Sequence, residues 1–130
     1  MDAVRHEQAE MTWDSDSRLA FLTFAPGTRG TRELGAALVS ELRRDVGSGG
    51  DPFGLLVDAA NLVAVDAEFR AIWGSFFRDH RQDGYGALFN VSPVIRVATE
   101  MFALGIRVPV RPFADEADAR GWLRSVGISA

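Results

Sequence analysis

Blocks of alternating and recurring apolar positions lay out the whole chain. Met11–Trp13 and Leu19–Phe24 are short strand-like runs on either side of Asp14-Ser-Asp-Ser17, a turn-forming cluster, and predict a β-hairpin. Within LAFLTFA, Leu19, Phe21 and Thr23 fall on one face and Ala20, Leu22 and Phe24 on the other, so both faces are expected to be covered. Leu34, Leu38 and Leu42 then recur every four residues behind Thr31, whose hydroxyl suits a helix cap, and Gly47-Ser-Gly-Gly50 ends that helix. Leu55-Leu56-Val57 reads as a buried strand ending at Asp58. After a loop, Asp66 is placed as the cap of a helix with Phe69, Ile72, Trp73, Phe76 and Phe77 on its inner face. Glu68, Arg70, Ser75, Arg78 and Asp79 lie opposite, and Gly84 is the expected terminator.

The second half repeats this alternation. Gly86–Val91 is a third core strand, and Ser92-Pro93 opens a helix with serine at the cap and proline at the first helical position. Arg107–Phe113 alternates, but Pro109 and Pro112 cannot donate ladder hydrogen bonds, which predicts an edge strand. Asp115 caps a final helix with Trp122, Leu123 and Val126 inward. The order β-β-α-β-α-β-α-β-α predicts a single α/β domain with a mixed sheet of four to five strands and about four helices. Residues 1–10 read as a leader with the freedom of a chain terminus, and residues 11–130 as the domain.

The helix from Pro93 to about Leu104 departs from the ordinary pattern. Val94, Ile95, Val97, Ala98, Met101, Phe102 and Leu104 wrap most of its circumference, leaving Arg96, Thr99 and Glu100 as a polar stripe, with Gly105 as the stop. A surface helix needs only about a third of its circumference apolar. Part of this surface is therefore expected to meet a partner chain, a second copy or an apolar ligand, unless the leader covers it.

Composition narrows the chemistry. The chain has 130 residues and no cysteine, which excludes disulfides, thiolate catalysis and cysteine zinc sites. All 14 basic residues are arginine, so lysine Schiff bases and a lysine-bearing phosphate loop are excluded as well. A net charge of -4 weighs against nucleic acid as a partner. No apolar run reaches bilayer length and MDAVRHEQAE lacks an apolar core, so a cytoplasmic protein is expected.

Candidate reactive groups are few. Asp58, near Asn61 and Asp66, could form an acid/base pair or a magnesium site, although such residues more often cap helices and turn loops. His80 lies one turn after Phe76 and Phe77, where a histidine usually packs against a helix end; the other histidine, His6, falls in the leader. Ser15, Ser17, Ser48, Ser92 and Ser125 fall at turns and helix ends, and there is no Gly-x-Ser-x-Gly elbow. No metal or cofactor is expected, and an enzyme built on Asp58, Asp66 and His80 is the least favoured reading.

The element order, together with APGTRGTRELGAALVSEL, LLVDAANLVAVDAEF and FADEADARGWLRSVGI, resembles the STAS domain of anti-sigma-factor antagonists (SpoIIAA-like proteins) and sulfate-transporter tails, over roughly residues 11–128. The resemblance implies a signalling module that docks on a regulatory protein and is switched by serine phosphorylation. The Asp-Ser-Ser-Gly pattern of the family falls on Asp66-Ala67-Glu68-Phe69, so no phosphoacceptor stands at the family position, and Glu68 occupies the place of the phosphoserine. A single carboxylate carries less charge than a phosphate and would mimic it only in part. The expected function is a non-enzymatic interaction module, working through Asp58, Asn61, Asp66, Glu68, Ser92, Val94, Ile95, Arg96, Met101 and Phe102 on a regulatory protein or as a homodimer. The alternative is an apolar-ligand or lipid binder, as in the SEC14-type proteins of related architecture.

Overall fold

The structure, a computed structural model, describes residues 2–5 (backbone only), 8–48 and 50–130. Its main sheet is built from β1 (Asp2–Arg5), β2 (Ala9–Asp14), β3 (Leu19–Phe24), β5 (Phe53–Asp58), β7 (Gly84–Phe89) and β8 (Val110–Pro112), ordered β1-β2-β3-β5-β7-β8. β1, β2 and β3 are antiparallel neighbours, whereas β3, β5, β7 and β8 run parallel. All five strands expected from the sequence are in this mixed sheet. β1 adds a sixth within the stretch read as a leader; DAVR is too short and too polar to carry a strand signal. β8 is an edge strand, as its prolines required. Two short strands, β4 (Thr28–Gly30) and β6 (Leu62–Val65), pair with each other in parallel and were read as loop.

Four helices complete the fold: α1 (Arg32–Val46), α2 (Ala67–Asp79), α3 (Pro93–Ile106) and α4 (Glu116–Ser125). Alternation along the strands divides the apolar side chains between two cores. Met11, Leu22, Leu55 and Val57 join Leu38 and Leu42 of α1 and Phe69, Trp73 and Phe76 of α2 on one face. Leu56, Ala87 and Phe89 pack on the other against Ala119 and Leu123 of α4 and Ile128. The central strands are therefore covered on both sides, as parallel strands usually are.

The caps follow the sequence with one exception. Thr31 accepts from the Leu34 N–H, Ser92 from Ile95 and Asp115 from Asp118. Asp66 stands at the start of α2 but makes no capping bond. Helix ends shift more. α2 stops at Asp79 with His80 as its C-cap, and Gly84 opens β7 instead of closing the helix. Gly84 lies where a side chain would not fit: a Cβ there would stand 2.6 Å from Phe53 Cζ. α3 runs through Gly105 to Ile106, two residues beyond the expected end, with Ile106 packed against the core; Arg107 then caps it in the left-handed region at φ 54°. No helix among the described residues is long and apolar enough to cross a membrane.

Candidate functional site

The acidic residues at the strand ends do not converge. Asp58 Oδ1 accepts from the Ala60 backbone N–H at 3.0 Å and from Asn90 Nδ2 at 3.1 Å, tying the ends of β5 and β7 together. Asn90 has φ 56°, which ends β7 before the predicted Val91, and its part was not evident from its place in an apolar run. Asn61 Nδ2 donates to the Phe24 carbonyl at 3.1 Å. Asp66 turns away from its helix to meet Arg29 Nε at 2.6 Å, a pairing across 37 residues that no local pattern announces. Asp58 and Asn61 thus fix the β5–β6 connection, to Asn90 and to Phe24 respectively, while Asp66 ties the start of α2 to Arg29 of β4. No cluster of histidine and carboxylate groups suited to a metal ion occurs among the described residues.

Ala67 and Glu68, which the resemblance to the STAS domain sets against the serines of that family, open α2 and are both exposed. His80 packs its ring 4.8 Å from that of Phe76 and 5.3 Å from that of Phe53, while Nδ1 lies 3.2 Å from Asp83 Oδ2. That arrangement closes the end of α2 against the core. His6 lies outside the described residues.

α3 carries the larger anomaly. Val94, Val97, Met101 and Leu104 are 67, 54, 69 and 80 % exposed. Their spacing of three, four and three residues is that of a helix–helix seam, so they form a single outward stripe. Two expectations need correction here. Ile95 is only 2 % exposed and belongs to the core. Thr99, read as part of a polar stripe, is buried with its hydroxyl donating to the Ile95 carbonyl at 2.7 Å, which satisfies it within the helix. Ser92 is spent on its cap, Arg96 is half-buried, and Phe102 is half-buried against the core.

A groove runs between α2 and α3. Arg70, Gly74 and Arg78 form one wall, Val97, Met101 and Ile106 the other, and no carboxylate lines it. Beneath it, between the two helices and the sheet, lies a cavity of about 100 Å³ walled by apolar side chains including Leu55, Val57, Trp73, Phe77 and Ile95. Arg70, Ala98 and Phe102 border both spaces, so groove and cavity adjoin. Arg70 is exposed at this junction and is anchored by donating through Nη1 to the Val65 carbonyl at 3.1 Å. Neither space was legible in the sequence, because their walls come from segments far apart in the chain.

Neither a family model nor a curated protein sequence matches this chain. Its architecture matches solved structures at low identity. A DUF3478-family protein with a SpoIIAA-like fold from Shewanella loihica superposes with a TM-score of 0.63 at 14 % identity, covering 94 % of this chain and 90 % of that one. An anti-sigma-factor antagonist (STAS) domain protein from Planctomyces limnophilus gives 0.59 at 15 %, covering 84 % and 92 %. The murine anion transporter Slc26a9 gives 0.60 at 12 %, covering 83 % of this chain but only 18 % of the transporter. At these identities the likeness speaks for the fold, and the fold is that of the STAS, or SpoIIAA-like, domain.

Proposed function

We propose that this chain is a non-enzymatic interaction module of STAS type, docking a partner protein through the outer face of α3. The observation that carries the reading is the stripe of Val94, Val97, Met101 and Leu104, apolar side chains left in water at helix-seam spacing. A seam of that spacing beside a groove accepts a helix, by the helix-in-groove mode. Arg70 and Arg78 in a groove without carboxylates call for acidic residues along that helix's flank. The occupant is therefore an amphipathic, acidic helix of a partner protein, with Glu68 and Val63 at the exposed edge of the β6–α2 region available for further contact. Regulation by serine phosphorylation at the start of α2 is not part of this reading, since Ala67 and Glu68 offer no hydroxyl.

The test is a photo-crosslinking residue at position 101, with the attached peptide identified by mass spectrometry. An acidic amphipathic peptide from another protein, lost with Val97→Asp, supports the reading. Crosslinks only to this chain make the seam a homodimer contact, and no crosslink overturns the docking face.

A second reading rests on a separate observation, the apolar cavity beneath α3. A void walled by apolar side chains stays dry and takes apolar molecules; one of about 150 Å³ is large enough for benzene. The cavity here, about 100 Å³ and open toward the groove, suits part of an alkyl chain.

A further inference from the structure

We infer that the cavity beneath α3 binds the tail of a single-chain carboxylate amphiphile, with its head group held by Arg70. The inference rests on the second reading above and adds the head group. The tail's environment is given by the walls: Leu55, Val57, Trp73 and Phe77 present apolar surface, and Thr99, the one hydroxyl there, is already bonded to the Ile95 carbonyl. A polar ligand would leave its own groups unpaired in such a space. An alkyl chain gains about 0.8 kcal/mol for each methylene buried.

The head is specified by what stands at the opening. Arg70 borders both cavity and groove, and no ion pair joins it to a carboxylate among the described residues. Its Nη1 is fixed by the Val65 carbonyl, which orients the guanidinium while leaving other N–H groups for an anion. A planar guanidinium pairs with a planar carboxylate through two parallel hydrogen bonds. Arg78 lines the same groove about two helical turns further on, so the charged groups of the groove are both cationic. A chain too long for the cavity continues into the groove against Met101 and Ile106. The partner seam of α3 faces outward and the tail lies underneath, so the two sites share Arg70 and, for a chain long enough to reach the groove, Met101.

The experiment titrates the protein with decanoate, below its micelle concentration, and with decanol, below its solubility limit, following Trp73 in a protein carrying Trp13→Phe and Trp122→Phe. Calorimetry of the wild type runs in parallel, so the result does not depend on those substitutions. The expected result is decanoate bound about tenfold more tightly than decanol, the order of one charge-assisted hydrogen bond at an exposed site. Arg70→Gln, an exposed substitution, is expected to erase that preference, bringing decanoate affinity down to that of decanol. Ala98→Leu at the opening is expected to weaken both. Equal binding of the two ligands in the wild type overturns the carboxylate inference and leaves the apolar-ligand reading standing. A preference that survives Arg70→Gln, or binding indifferent to Ala98→Leu, overturns the site. If neither ligand binds, the inference and the reading beneath it fall together.

Discussion

Single residues at the sheet's ends set the geometry on which everything else depends. Gly84 is the sharpest case. The aromatic ring of Phe53 fills the space a side chain would need, and His80 Cβ would stand 3.3 Å from an added Cβ. Phe53 is itself fully buried, so it has nowhere to retreat. Gly84→Ala is therefore expected to cost about 1–3 kcal/mol, the range for overpacking a filled core, read as a lower urea midpoint at unchanged m-value. Asp58 contributes in another way, by accepting from Ala60 and Asn90 across two strand ends. Asp58→Ala should cost about 1 kcal/mol, because water reaches the freed donors. The same substitution should leave decanoate affinity unchanged in the calorimetric titration, since Asp58 borders neither cavity nor groove.

Among the elements, α3 is the one whose surface exceeds its structural need. Its core contribution comes from Ile95 and Thr99, with Phe102, Ala103 and Ile106 partly buried behind them. Met101 contributes to none of this, so Met101→Asp should shift stability by no more than about 0.5 kcal/mol while abolishing capture of the acidic partner helix. Circular dichroism and thermal melting check the first half, and the crosslinking assay, with the photo-reactive residue moved to position 104, the second. The end of the same helix offers a separate check. Arg107 holds a left-handed conformation that costs an L-residue roughly 1–2 kcal/mol, and glycine adopts it freely at some entropic cost. Arg107→Gly is expected to raise the unfolding free energy by about 0.5 kcal/mol in the same urea titration, without touching the stripe.

The alternation in Leu19–Phe24, the leucines of α1 and the aromatic face of α2 were legible because burial imposes a period on sequence. The capping bonds of Thr31, Ser92 and Asp115 were legible because they are made within three residues. The excess apolar surface of α3 was visible too, but its partition was not: which of Ile95, Thr99 and Met101 faces inward depends on where the sheet and α2 stand. Arg29–Asp66, Asn90–Asp58 and the cavity were hidden for the same reason, since each joins distant segments. β1, β4 and β6 escaped because three or four residues carry too little pattern to separate a strand from a loop.

At the level of the whole molecule, the two cores are joined by the backbone they share. Leu55 and Val57 project into the layer of α1–α3, and Leu56, between them, into the layer of α4. Loss of either layer would expose one side of β5 and β7, strands buried on both faces, so neither core can remain intact alone. Trp73 lies in the first layer and Trp122 packs against the second, 5.6 Å from Phe113 by ring centroid. Two variants, each retaining one of these tryptophans and carrying phenylalanine at the other tryptophan positions, should show fluorescence transitions in urea that coincide with each other's circular dichroism after correction for any shift in stability. Separate transitions within one variant would mean that α4 detaches first and that the sheet survives with one face bare. A saturating carboxylate amphiphile should then move both probes together, although it touches only the α2–α3 side. Ligand that binds only the folded state stabilises the entire cooperative unit by mass action, and at a hundredfold excess over its Kd the gain is about 2.7 kcal/mol.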